Sequence, residues 1–126
     1  MAYTTTKING TEYAIIADFQ DCRDGFNHIA KIYMGHACIG YAKRHYINRT
    51  WECFRYQSAV QAAIYDAINS MIERRKEAAR RENGGRLRRG QGDQIAEEVR
   101  SSEYGKNLLE LLEAVRTAHS VETIAA

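Results

Sequence analysis

Asn9-Gly10 is the dipeptide that most narrows what this chain can become. It stands between two β-rich runs, YTTTKI and TEYAIIADF. A two-residue hairpin turn needs positive φ at both central positions, and Asn and Gly adopt it at the least cost. The chain therefore opens as an antiparallel hairpin. A polar turn, QDCRDG, follows; then come FNHIAKIYM, a turn at Gly35-His36, and ACIGYAKRHYI. This order predicts four short strands in a meander, with a candidate fifth over Trp51 to Tyr56.

Helical spacing takes over near Ser58. SAVQ (Ser58 to Gln61) has the layout of a capping box, in which a hydroxyl and a Gln side chain satisfy the first free amides. Val60, Ile64, Ala67, Ile68, Met71 and Ile72 then recur on one helical face. From Arg74 the apolar face stops, and a charged stem is expected to project beyond the core to about Glu82. Asp93 is the expected N-cap of a second helical region, opened by Ile95 and Val99 and interrupted by SSEYG near Gly105. Leu108, Leu111, Leu112 and Val115 form its second apolar stripe.

The sum is one α+β domain spanning 1–126, with helices on one face of the sheet. The expected division is sheet over 1–56, first helix over 57–82, Gly/Arg loop over 83–92 and second helical region over 93–118. The leucine stripe is more than one flank of a small sheet can cover once the first helix is in place. A homo-oligomer held by the C-terminal helices is therefore expected.

Length and composition exclude several classes. The 126 residues suffice for a single core, and no apolar run approaches the ~20 residues of a membrane span. MAYTTTKING lacks the basic-then-apolar layout of a signal peptide, so a cytoplasmic protein without a membrane partner is expected. Cys22, Cys38 and Cys53 form no C-x-x-C pair, which fits buried free thiols in a reducing compartment. Charge is uneven. Residues 74–92 hold eight basic and two acidic side chains, whereas residues 93–126 hold three basic and seven acidic. Local asymmetry of this kind concerns partners, and a DNA mimic would be acidic throughout.

The basic excess centres on ENGGRLRRGQGDQ, Glu82 to Gln94. GRLRRG has Walker A glycine spacing, but Gln91-Gly92 stand where Lys and Ser/Thr are required, and a helix precedes it where a strand should. A nucleotide triphosphatase is excluded. What remains is an anion site: Gly84 and Gly85 free the backbone amides, and Arg86, Arg88 and Arg89 supply forks for phosphate. The competing reading is a solvated connector.

HYINRTWECFRYQS is the second candidate. Arg44, Asn48, Arg49, Trp51 and Tyr56 interleave cations, hydrogen-bonding groups and aromatic faces, as a base and its phosphates require. For Trp51 and Phe54 the favoured reading is that they close the junction of sheet and helix, whereas Arg44, Asn48 and Arg49 stay open to either role. His28, His36, Cys38, His45 and Cys53 show no zinc spacing, and His45 beside Arg44 is the one candidate for acid–base work. With no carboxylate pair or nucleophile elbow, a non-catalytic protein without a cofactor is expected.

The segment YAKRHYINRTWECFRYQSAVQAAI resembles a tyrosine-rich strand, NRTWE, aromatic pair and helix that recur in small orphan proteins of bacteriophages and conjugative elements. The resemblance covers about a fifth of the chain and implies a source. Small phage proteins of this kind are often counter-defence factors. Two functions follow as expectations: an oligomeric sponge that sequesters an anionic nucleotide immune signal, or an anti-CRISPR-style inhibitor that binds a host nuclease effector or its RNA. A nucleic-acid-binding regulator is a third.

Overall fold

The computed structural model describes residues 2–47 and 56–117. Four antiparallel strands, β1 (Ala2–Ile8), β2 (Thr11–Cys22), β3 (Gly25–Met34) and β4 (Ala37–Tyr46), form one sheet in the order β1-β2-β3-β4. The first turn closes as Asn9-Gly10 dictates: φ is 51° at Asn9 and 85° at Gly10, and Ile8 pairs with Thr11. Three helices follow, α1 (Tyr56–Glu82), α2 (Gln91–Ser101) and α3 (Glu103–Thr117). The fold is α+β, with the N-terminal sheet and C-terminal helices expected from the sequence.

Alternation sorts the sheet into two faces. Tyr13, Ile15 and Ala17 on β2 and Ala30 and Ile32 on β3 are buried, and they face Val60, Ala63, Ile64, Ala67 and Ile68 of α1. The helix comes unusually close at Gly40 of β4, where an added Cβ would overlap the Ala63 carbonyl oxygen and stand 3.0 Å from the Ala67 Cβ. A register shift between Ile32 and Tyr33 bulges β4 just before this contact. Tyr41 N–H, on the sheet edge, then donates to Asp66 Oδ2 of α1 at 2.9 Å. An exposed edge amide is thereby satisfied by the helix that the strand supports.

The leucine stripe of α3 is consumed within the chain. Leu108, Leu111 and Val115 have no exposed surface and Leu112 only 2 %. They pack into the same core as α1 and the sheet. Tyr104 Oη donates to the Ala67 carbonyl at 3.0 Å, and Asn9 Nδ2 donates to Asn107 Oδ1 at 2.8 Å, so α3 is tied both to α1 and to the first hairpin. The expectation that this stripe lacks cover inside one chain is corrected, and with it the ground for an oligomer built on the stripe. Leu109 and Tyr65 are the large apolar groups left exposed on α3 and α1.

The stem is packed along one line at Ala79 and otherwise exposed or half-exposed. Ala79 joins a cluster with Ile95, Val99 and Leu87, because α2 folds back along α1. The helical region expected over 93–118 is two helices that break within SSEYG, at Ser102. Ser102 is extended (φ −69°, ψ 163°). Its hydroxyl donates to the Val99 carbonyl at 2.6 Å and accepts from Gly105 N–H at 3.2 Å. Ser102 therefore ends α2 and caps α3. Gly105 fits this corner because a Cβ there would overlap the Val99 carbonyl oxygen.

Two further boundaries differ. α1 starts at Tyr56, two residues before the expected cap at Ser58, and α2 is capped by Gly90 (φ 78°), so Asp93 lies in its first turn. The candidate fifth strand lies outside the described residues apart from Tyr56, which is helical. The expected burial of the thiols is corrected: Cys22 and Cys38 are free but exposed, because both sit near strand ends on the face that no helix covers, and Cys53 lies outside the described residues.

At one end of the sheet His28 is fully buried and stacks on Phe19, with ring centroids 4.4 Å apart and planes at 12°. Neither ring nitrogen has a hydrogen-bond partner among the described residues. Burial pushes the pKa of His28 below its ordinary 6.5, with the Asp18 charge opposing part of the shift. The unfolded chain thus binds the proton more readily than the native one. Stability from this residue is complete above about pH 6.5 and is lost as pH falls below that value. Denaturant melts across this range are expected to show the loss, and His28→Phe, which keeps the stack, to abolish it. An unaltered acid limb in the variant would assign the loss elsewhere.

Candidate functional site

Helices cover one face of the sheet; among the described residues no element packs on the other. Cross-strand register lays out this second face in rows. Tyr3, Ile16, Lys31 and Tyr41 make one row, and Asp18, Ile29 and Lys43 make the next. Ala14, Tyr33 and Cys38 flank them on one side, and Gln20, Asn27 and His45 on the other.

The middle of this face is hollow. A cavity of about 420 Å³ is lined by Ile16, Asp18, Gln20, Ile29, Lys31, Tyr33 and Tyr41. A shallower hollow of about 250 Å³, lined by Tyr3, Ala14, Ile16, Tyr33, Gly35 and His36, adjoins it through Ile16 and Tyr33. The chemistry is mixed: three phenol rings and two isoleucines give flat apolar contact, Lys31 gives positive charge, and Asp18 and Gln20 give hydrogen-bonding groups. Tyr3 and Tyr41 are 59 % and 46 % exposed, so their rings are available to a partner. The size lies within the ordinary range of small-molecule sites, roughly 300–1,000 Å³.

The Gly/Arg segment is an ordered corner. Asn83 N–H and Gly85 N–H donate to the carbonyls of Ala79 and Arg80 at 3.0 and 2.7 Å, and Gly84 and Gly85 hold positive φ of 75° and 111°. These bonds satisfy the last carbonyls of α1 as a glycine C-cap does. Gln91 Oε1 accepts from Asn83 Nδ2 at 2.8 Å and from Arg88 N–H at 2.9 Å, which pins the far side of the turn. Leu87 anchors it in the core, while Arg86, Arg88 and Arg89 are exposed and form no ion pair among the described residues.

Of the second arginine site expected from the sequence, Arg44 is the arginine among the described residues. Ala63 of α1 touches Gly40, and the helix runs on from there to Glu82, a rise of about 28 Å at 1.5 Å per residue. Arg44 is four residues from Gly40 on β4, at most about 14 Å away. Arg44 and the Arg86–Arg89 turn lie on different elements, β4 and the connection between α1 and α2. Arg44 is exposed on β4 and pairs in register with His28. Asn48, Arg49 and Trp51, and the side chain of Tyr56, lie outside the described residues.

The tyrosine face was not singled out in the sequence. Its signal was present in the alternation of Ile16, Asp18 and Gln20 against Ile29, Lys31 and Tyr33, but only the register brings these residues into shared rows. The chain matches no protein-family model, no curated protein and no solved structure. Among the described residues no helix is long and apolar enough to cross a membrane.

Proposed function

We propose that this protein binds, without catalysis, an anionic ligand of the nucleotide class on the open face of its sheet. The observation that carries this reading is the hollow row of Tyr3, Ile16, Lys31 and Tyr41, with Tyr33 beside it. Phenol rings on a pleated surface offer stacking planes for bases, and a lysine among them attracts phosphate. The resemblance of the NRTWE segment to small phage proteins supplies the setting, the sequestration of a nucleotide immune signal in the host cytoplasm. Self-association belongs to the same proposal, through surfaces other than the buried leucine stripe. A second reading rests on the exposed Arg86, Arg88 and Arg89, which form no ion pair among the described residues. A rigid basic corner of this kind suits an anti-CRISPR-style contact with an acidic effector surface or its RNA.

Native mass spectrometry of the protein purified from infected cells, followed by titration with a panel of cyclic and linear oligonucleotides, tests the proposal. Each lost stacking ring costs about 1–3 kcal/mol. Tyr33→Ala with Tyr41→Ala is therefore expected to weaken binding by about thirtyfold or more, and Lys31→Gln to reduce its salt dependence. Replacing Arg86, Arg88 and Arg89 together by Gln is expected to leave nucleotide affinity intact and to change stability by no more than ~0.5 kcal/mol. Loss of affinity in the arginine variant alone would move the site to the corner. Absence of any nucleotide binding would overturn the proposal and leave the effector-directed reading.

A further inference from the structure

Cys22, Asp24 and His45 meet at one end of the open face, although 23 residues separate Cys22 from His45. The β2–β3 turn brings Cys22 and Asp24 together. Gly25, at the end of that turn, lets β4 close in, since a Cβ there would overlap the Tyr46 carbonyl oxygen. His45 consequently arrives beside the turn. Its Nδ1–H donates to Asn27 Oδ1 at 2.9 Å, and Asn27 is only 8 % exposed. A buried amide oxygen thus fixes the imidazole tautomer and leaves the Nε2 lone pair free.

Nε2 lies 3.4 Å from Asp24 Oδ1, and Cys22 Sγ lies 3.7 Å from the same carboxylate oxygen. The three donor groups all fall within 4.8 Å of one another. Around tetrahedral zinc, with bonds of about 2.0–2.3 Å, donor atoms stand roughly 3.3–3.6 Å apart. The observed spacings need only a small contraction of exposed side chains. The Cys22 thiol donates to Asp24 Oδ1 and its Sγ also lies 3.7 Å from His45 Nδ1, so all three side chains turn toward one point, and Asn27 occupies the position of the hydrogen-bonding partner that orients metal-bound histidines.

We infer that Cys22, Asp24 and His45 form a binding site for a divalent transition metal of the zinc type, with Asn27 as the positioning residue and a fourth coordination position open to solvent. The mixed thiolate, imidazole and carboxylate donor set favours zinc over magnesium or calcium, which take oxygen ligands. Three protein donors with an open fourth position match sites that exchange a bound water or accept an external ligand, not closed structural sites. The inference stands independently of nucleotide binding. Metal binding takes up the Cys22 sulfur as a thiolate, so it is coupled to proton release.

Cobalt(II) is the probe that tests it, on the full chain under a non-chelating reductant. One equivalent is expected to produce the visible bands of tetrahedral cobalt and a near-ultraviolet thiolate-to-cobalt band, both erased by one equivalent of zinc. Cys22→Ser is expected to remove the thiolate band, and His45→Ala to weaken binding by more than the roughly 10–100-fold that loss of an orienting partner costs. Asn27→Ala is expected to fall within that 10–100-fold range and Asn27→Asp, which keeps an acceptor for Nδ1–H, to restore affinity. Circular dichroism checks that each variant is folded. The inference is overturned by the absence of a thiolate band in the native chain. It is equally overturned if the band persists in Cys22→Ser, which would assign it to Cys38 or Cys53.

Discussion

Converting Leu108 and Leu112 to glutamate is expected to unfold the protein rather than to release a smaller folded species. Both side chains are buried in the core shared by α1, α3 and the sheet, at 0 % and 2 % exposure. Truncating one such leucine to alanine costs about 2–5 kcal/mol, and a carboxylate with no partner adds a desolvation penalty. A domain of this size has about 5–15 kcal/mol of stability in all. Two such changes should therefore consume it. Far-ultraviolet circular dichroism and thermal melts read the outcome. A cooperative melt within a few degrees of the native chain would mean that α3 is not packed as described, and would return the stripe to an interface between copies.

Gly40→Val is expected to lift α1 from the sheet. Even the first added carbon would overlap the Ala63 carbonyl oxygen, and the branched methyls would meet Ala67. The obstruction is backbone, so a rotamer change cannot relieve it; helix and strand must separate. Overpacking of this kind costs about 1–3 kcal/mol and at times more. At roughly 3–6 °C per kcal/mol for a domain of intermediate size, a fall of about 10 °C in Tm is expected. Ala67→Gly should recover little, because the nearest obstacle is the carbonyl. A native-like Tm in Gly40→Val would show that the approach of α1 to β4 is looser than described.

The proposed site connects to these packing terms through one geometric fact. Gly40 seats α1 on one face of β4, and Tyr41, the next residue, presents its ring on the other face while its N–H bonds to Asp66. The helix therefore fixes the strand that carries part of the tyrosine row. Gly40→Val should disturb ligand binding as well as stability, whereas Tyr41→Ala should affect binding alone.

Much of the architecture was written locally. Asn9-Gly10 set the first turn because few residues accept positive φ, and Val60, Ile64, Ala67, Ile68 and Ile72 set the buried face of α1 through helical spacing. Those properties depend on neighbours within a few positions, so the chain declares them without tertiary help. Boundaries were less legible. Ser58 and Asp93 have the chemistry of caps, yet α1 begins earlier and Gly90 caps α2, because the bonds of Gln91 to Asn83 and Arg88 fix where the second helix starts. At Ser102 the cap chemistry was present in SSEYG, but the close approach to Val99 decided which serine and which glycine would be used.

The sequence by itself determined the order of strands and helices, the faces that each buries and the basic character of the corner at Arg86, Arg88 and Arg89. Tertiary structure decided that α2 folds back to cover Ala79, that the leucine stripe closes inside one chain, and that Tyr3, Lys31 and Tyr41 share a row. It also decided that Cys22 and Asp24 meet His45. The physical reason is the difference between periodicity and register. Periodicity tells which way a side chain points from its own element, whereas register and close packing tell which distant side chain it points beside, and those depend on strand pairing and on glycines such as Gly25 and Gly40 that permit contact.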